Sequence, residues 1–443
     1  MFIKLFVIGY AMLLQNWWEK TLLQRKPKFC DALQGEISCD SLVIGGGVAG
    51  LHAALTLVEN GKDVVLIEKN TCGSSSSGRS SGFLTPDSEL EMYQMIRRYG
   101  LKGAQKVWSI PTKGVALIAE TAQKYHIDCD LEVQDSLFVG LGKKGRDAVQ
   151  EEVIAHKKMK RAYQFYDEKQ LQKIMATDAY TAGIRTGETY GINMMLYCYG
   201  LKEVLLKKGV RMYEQSAVEK FVKNTAYTSR GSVRAKHIIV CVDKMKKRLS
   251  PVAKKAYHAQ TFLAVSKPLT KEHVAALFPD GKVMVWDNKL IYTYFRLTKD
   301  NRLLVGGGSV LTTYDPWFFE SPIIIKQVIR SVQKKFSPLL DTLEFECYWP
   351  GLIDITKDIM PMVDYDPENK AIQYVLGNPG LPWAAFCGTY AAEKVLGGAH
   401  DWSKYLRMDR KFFVTDGVQC ILGKIPSFAL NNVYSKYLQK DEK

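Results

Sequence analysis

Two hydrophobic periods alternate along this chain. Short unbroken apolar runs at 41–44, 63–67 and 235–242 read as strands buried on both faces. Apolar positions three and four apart predict helices over 17–24, 51–58, 88–99, 103–125, 147–163, 191–207, 323–335 and 383–396, with breaks near Gly100 and Pro111. Further strands are expected at 131–139, 209–214 and 371–376. Strands and helices that take turns in this way build a parallel sheet covered on its faces. From 261 to 308 the pattern changes. Strands at 261–265, 282–287, 290–297 and 301–305 follow one another with only turns between, which predicts a mostly antiparallel sheet.

The fold class that follows is α/β with an α+β insert: a Rossmann-type domain interleaved with a mostly antiparallel-sheet substrate domain. The expected boundaries are 1–35 for an N-terminal apolar segment and helix, and 36–90, 185–255 and 346–400 for the discontinuous Rossmann-type domain. Residues 91–184 and 256–345 form the substrate or cap domain, and 401–443 a basic, aromatic tail with no assigned place.

The first apolar run enters Gly45-Gly46-Gly47-Val48-Ala49-Gly50 and leaves it as an Ala-rich helix. Gly45, Gly47 and Gly50 have the spacing of a dinucleotide-binding turn. The first permits the bend, the second lets a pyrophosphate approach the backbone, and the third lets helix pack on strand. The helix start then aims unpaired N–H groups at the phosphates. Glu68 ends the next strand where an acid grips a ribose hydroxyl, which also disfavours the phosphorylated ribose of NADP. The Ser/Gly stretch at 73–82 has the composition of a linker. Placed just past Glu68, it reads rather as a ligand loop in which hydroxyls, backbone N–H groups and Arg79 serve the rest of a large dinucleotide. Gly377-Asn378-Pro379-Gly380 is a second glycine turn feeding a helix, either for a ligand or to close the sheet.

The formal net charge of +15 comes without an Arg-rich tail or an RNA-binding signature, so nucleic acid is not expected as a partner. The densest lysine patch, 143–173, is either a solvated helical face or an attraction for acidic partners. Nine dispersed cysteines without a C-x-x-C pair indicate reduced thiols in a cytoplasmic protein, with no metal. Residues 2–14 are apolar but too few to span a bilayer. A peripheral membrane contact and a start at Met12 are the alternatives there.

Taken in order, these blocks resemble the FAD-dependent amine and amino-acid oxidoreductase family, which includes D-amino-acid oxidase, glycine oxidase and sarcosine oxidase. The nearest branch is the gamma-glutamylputrescine oxidase-like one. The resemblance runs from Trp17 to Lys404 and includes Lys267-Pro268-Leu269, 294–308 and the Trp349 to Pro361 block. It implies a noncovalent FAD. Gly45, Gly47, Val48, Ala49 and Gly50 would hold the pyrophosphate, Glu68 and Lys69 the adenosine side, and the Val218 backbone the adenine. Ser77, Arg79, Ser80, Gly351, Gly377, Gly380 and Leu381 would approach the ribityl chain and flavin. Gly351 stands where sarcosine-oxidase-like members carry a tethering cysteine, with Cys347 out of register. Leu304 stands where they carry a lysine linked to oxygen reactivity.

The implied activity is oxidation of a CH–NH or CH–NH2 group of an amine or amino acid, gamma-glutamylputrescine-like, N-methyl or D-configured. A hydride passes to flavin N5 and the imine hydrolyses in water. Tyr292, Tyr294 and Arg296 are pocket candidates because they sit on the roofing sheet, where ordinary strand aromatics and a surface arginine would look the same. The acceptor is oxygen or a quinone. Two rival readings keep the flavin: a membrane-peripheral dehydrogenase feeding a quinone, and an assembly protein without turnover.

Overall fold

The four residues of the Val64–Ile67 strand are all buried, because neighbouring strands flank it and helices cover its faces. It belongs to an eight-stranded sheet in the computed structural model, which describes residues 12–87, 89–246, 248–309, 320–398, 401–410 and 412–434. Arg211–Tyr213, Val64–Ile67, Gly35–Ile44, Gly231–Val240 and Ile372–Leu376 lie side by side and parallel. Antiparallel strands at Thr225–Tyr227, Lys220–Val222 and Met362–Tyr365 extend it.

A nine-stranded sheet holds the second half of the pattern. Its order is Leu13–Leu14, Phe345–Thr356, Ala256–Pro268, Arg302–Gly307, Tyr294–Leu297, Val283–Asp287, Asp135–Gly140, Ala182–Thr186 and Gln164–Asp167. All neighbours in it are antiparallel except the first pair and the Val283–Asp287/Asp135–Gly140 pair. A small sheet of Phe83–Leu84, Tyr190–Gly191 and Glu132–Val133 bridges the two.

Three helices meet backbone to backbone beside the first glycine turn. A Cβ on Gly388 of Leu381–Val395 would stand 1.9 Å from the Ala49 carbonyl oxygen of Val48–Glu59. One on Gly114 of Met92–Lys124 would stand 1.9 Å from the carbonyl of Pro382. Glycine is the residue these crossings allow.

One sequence expectation fails for an identifiable reason. Met92–Lys124 kinks at Gly100, φ 64°, where a break is expected, but runs on through Pro111 where a second one is expected. Burial of the proline ring and the close contact at Gly114 outweigh the lost hydrogen bond, a tertiary override of local propensity. Pro350-Gly351 lies inside the Phe345–Thr356 strand. The short outer strand pairs only as far as Tyr348, so the missing proline N–H falls where that side has no described partner. The tail forms short helices at Ser403–Leu406, Asp416–Leu422 and Lys424–Val433. Most of the apolar segment expected at 2–14 lies outside the described residues, and among them no helix is long and apolar enough to cross a membrane.

Candidate functional site

Two helix N-termini open into one cavity of about 310 Å³. Gly47, Val48 and Ala49 start one helix, and Gly380, Leu381 and Pro382 start the other. Neither N-cap glycine supplies a side-chain acceptor. In the first turn of Val48–Glu59 the Val48 N–H donates to Ser77 Oγ at 3.0 Å, a lone neutral hydroxyl at the positive helix end. Unsatisfied N–H groups and aligned peptide dipoles at both ends favour a ligand carrying negative charge at two separated points.

The glycines of the turn divide by task. Gly45 has φ 109°, and a Cβ there would come within 2.2 Å of the Cys241 carbonyl oxygen. A Cβ on Gly50 would come within 1.9 Å of the Gly45 carbonyl, so Gly50 seats helix on turn and does not line the cavity. Gly47 does line it. Glu68 is buried below the turn, where its two oxygens accept from Gly46 N at 2.7 Å and Asn70 N at 2.8 Å. Burial raises its carboxyl, and the two backbone donors pull the other way. Lys69 is exposed, and Val218 is half-buried against the apolar cluster under the eight-stranded sheet.

Ser77, Arg79 and Ser80 reach the cavity from a tight 3-10 turn. Arg79 Nε lies 3.3 Å from the Ser74 carbonyl, and its own carbonyl accepts from Trp349 Nε1 at 3.1 Å. The 73–82 stretch is therefore a pinned wall. Gly351 lines the cavity opposite, on the central part of its strand. Gly377 does not line it. With φ 67° and a Cβ position 2.4 Å from Thr356 Cγ2, it makes the bend that delivers Asn378 and Gly380. Asn378 Oδ1 is buried without a hydrogen-bond partner, an acceptor waiting for a donor. Asp243 also lines this end, its carboxyl pushed up to about 6 by burial and by Asp354. These donors, glycine approaches and the orphaned Asn378 oxygen fit a flavin dinucleotide.

The other end is built from side chains. Asp87, Glu89 and Glu91 come from the loop before Met92–Lys124, and Phe138, Trp286 and Tyr292 face them from the nine-stranded sheet and its loops. Tyr292 donates to Glu89 Oε1 at 3.2 Å, and its ring lies 5.7 Å from that of Tyr294. Tyr294 lines the cavity with its hydroxyl 3.5 Å from Thr261 Oγ1. The Asp87 carboxyl is pushed up to about 6 by burial, while Trp383 Nε1 fixes its carbonyl at 2.9 Å.

Arg296 does not line this cavity, contrary to the sequence expectation. It shares a strand face with Tyr294 but lies one step further, under Trp18, and is 2% exposed. Its guanidinium donates to the carbonyls of Ser81 at 2.8 Å, Ile192 at 2.8 Å and Leu297 at 3.2 Å. Cβ atoms on Gly82 or Gly191 would collide with it, so the arginine staples the small sheet to the large one. Trp349 and Trp383 are core, as their burial shows. Asp87, Glu89, Glu91 and Asp243 were missed by the sequence reading. The alternating acids after Pro86 were the available signal.

A family profile described as FAD dependent oxidoreductase matches residues 40–394. The chain is 29% identical over 394 residues to gamma-glutamylputrescine oxidoreductase of Escherichia coli (strain K12), covering 85% of this chain and 88% of that one. It is 26% identical over 368 residues to a probable oxidoreductase OrdL of Haemophilus influenzae, covering 81% and 83%. Glycine oxidase from Geobacillus kaustophilus superposes with a TM-score of 0.73 at 16% identity, over 85% of this chain and all of that one. L-amino acid deaminase from Proteus myxofaciens superposes at 0.70 and 15%, over 87% and 96%. The two superpositions establish the shared fold.

Proposed function

This chain belongs to the FAD-dependent oxidoreductase family, and from that premise we propose that it oxidises the C–N bond of a small amine or amino acid. Gamma-glutamylputrescine-like, N-methyl and D-amino compounds define the substrate range, a reading supported by the name of the Escherichia coli relative. One observation carries it: a single cavity joins two open helix N-termini to an end walled by carboxylates and aromatic rings.

The backbone N–H groups of Val48 and Ala49 hold the pyrophosphate, and Glu68, with lone pairs still unspent, takes the ribose. Ser77, Arg79 and Ser80 flank the ribityl chain. Gly351, Asn378, Gly380 and Leu381 face the flavin, where the second helix start stabilises negative charge. Lys69 and Val218 lie on the adenosine side. When bound, FAD supplies the acceptor for the hydride leaving the carbon beside nitrogen. The chain's task is to orient that C–H and keep the amine neutral. Gly45, Gly50 and Gly377 act by shaping the backbone rather than by touching the cofactor.

The cofactor is held without a covalent bond. Gly351 occupies the cavity wall, while Cys347 is fully buried in register with Val265 and Leu304. That dry apolar trio puts no cation where the resembling oxidases have a lysine, which supports a quinone or other organic oxidant as acceptor.

Purified protein is expected to be yellow, and amines should bleach it under anaerobic conditions. Colourless, folded protein that refuses added FAD would overturn the reading. Comparing a dye with oxygen as oxidant decides the acceptor.

A further inference from the structure

Two carboxylates on the substrate side, Asp87 and Glu89, form no salt bridge among the described residues, although both border the cavity. They are not needed to cap the helix that follows them. Its first N–H groups are served by Glu152, which accepts from Met92 N and Tyr93 N at 3.1 Å each, and by the capping box of Glu91 and Gln94. Asp87 is oriented through its backbone by Trp383, and Glu89 through its carboxylate by the Tyr292 hydroxyl. Phe138 and Trp286, with ring centroids 6.1 Å apart, line the same cavity and supply the kind of aromatic surface that attracts a cation.

Two positive side chains, Arg79 and Lys289, line other parts of the same cavity, and neither pairs with these carboxylates. Arg296 has spent its donors on three carbonyls, Arg79 belongs to the Ser77–Arg79 turn, and Lys289 is exposed at the rim. An α-carboxylate entering this end would meet two like charges and no buried guanidinium. A second ammonium would meet two carboxylates and an aromatic wall.

We propose that Asp87 and Glu89 select a substrate bearing a second positive charge, a diamine or an amine with a distal ammonium, over an α-amino acid. This rests on the reading of the cavity as an amine-oxidation site. The carboxylates fix the distal nitrogen and so set which carbon lies against the flavin, a positioning role separate from the redox step.

The test uses FAD-loaded wild type, Glu89→Gln and Asp87→Asn, with 1,4-diaminobutane, butylamine and N-methylglycine as probes. Binding is read from the perturbation of bound-flavin absorbance, and oxidation from anaerobic bleaching. In wild type the diamine is expected to bind about tenfold tighter than the monoamine, with N-methylglycine weakest, and either substitution should erase about tenfold of that preference. Added salt should weaken diamine binding alone. Equal binding of all three probes, tighter binding of N-methylglycine, or a preference untouched in both variants overturns the inference. Should one variant lose its flavin, the other variant and the wild-type ranking still decide. Diamine-selective binding without bleaching upholds the charge preference and sinks the oxidation reading instead.

Discussion

One end of the cavity presents backbone to its ligand and the other presents side chains. At the nucleotide end, N–H groups of two helix starts and the approaches of Gly45, Gly47 and Gly50 leave almost no choice of residue, because an added Cβ meets a carbonyl or a neighbouring hydroxyl. At the far end, Asp87, Glu89 and Tyr292 project from loops, and Phe138 and Trp286 from strands of the large sheet. A surface made of backbone fixes which cofactor is bound. A surface made of side chains can be retuned to another substrate without disturbing it.

Gly50→Val is the harshest way to break that contrast. With a Cβ forced to 1.9 Å from the Gly45 carbonyl, the helix must lift from the turn. Flavin content, read as absorbance per mole of protein, should fall to near zero. A yellow, stable variant would show that the backbone end is more forgiving than its geometry implies.

Asp358→Ala comes next, since its carboxylate ties the helix carrying Tyr93 and Gln94 to the tail. Arg98 and Arg410 both reach it, at 2.9 and 3.0 Å, and all three groups are largely buried. Removing one partner of such a cluster costs about 3–5 kcal/mol in urea unfolding. Burial alone would raise the Asp358 carboxyl, but the guanidiniums of Arg410 and Arg98 and bonds from Arg410 and Thr356 hold it far below the usual range. Its contribution is therefore complete above the ordinary carboxylate pKa and is lost as pH falls toward the depressed value. The gap between variant and wild type should narrow in strong acid.

Arg296→Met should cost about 2–3 kcal/mol by orphaning carbonyls, yet leave diamine binding to the folded fraction unchanged. A large change in binding would put the arginine back in the substrate site. The mildest effect belongs to Trp383→Phe, which removes the bond to the Asp87 carbonyl for about 1 kcal/mol and should raise the diamine dissociation constant a few-fold. Acidification probes the same loop. Burial raises Asp87 to about 6, so diamine binding should weaken as pH drops through that value, opposite to a pocket that holds a carboxylate.

The cofactor end was legible in the chain because close approach leaves a mark on composition: strand, glycines, helix and Glu68 in fixed order. The alternation of elements was legible for the same kind of reason, since burial on two faces leaves apolar runs. Pro111 misled because neighbouring helices outvote local preference. Arg296 and Tyr294 look equivalent two residues apart. Only the carbonyls of Ser81 and Ile192, which come from elsewhere in the chain, separate a staple from a cavity wall.

Leu13 and Leu14 pair in parallel with Cys347 and Tyr348, at the margin of the nine-stranded sheet. On the ribosome, these leucines emerge long before their partners exist. Trp18, whose indole donates to the Ser80 carbonyl at 2.8 Å, completes its ring contact with Trp349 only when that late strand arrives. Closing a loop of that length is slow. The seam therefore closes last, and chaperone demand should track events there.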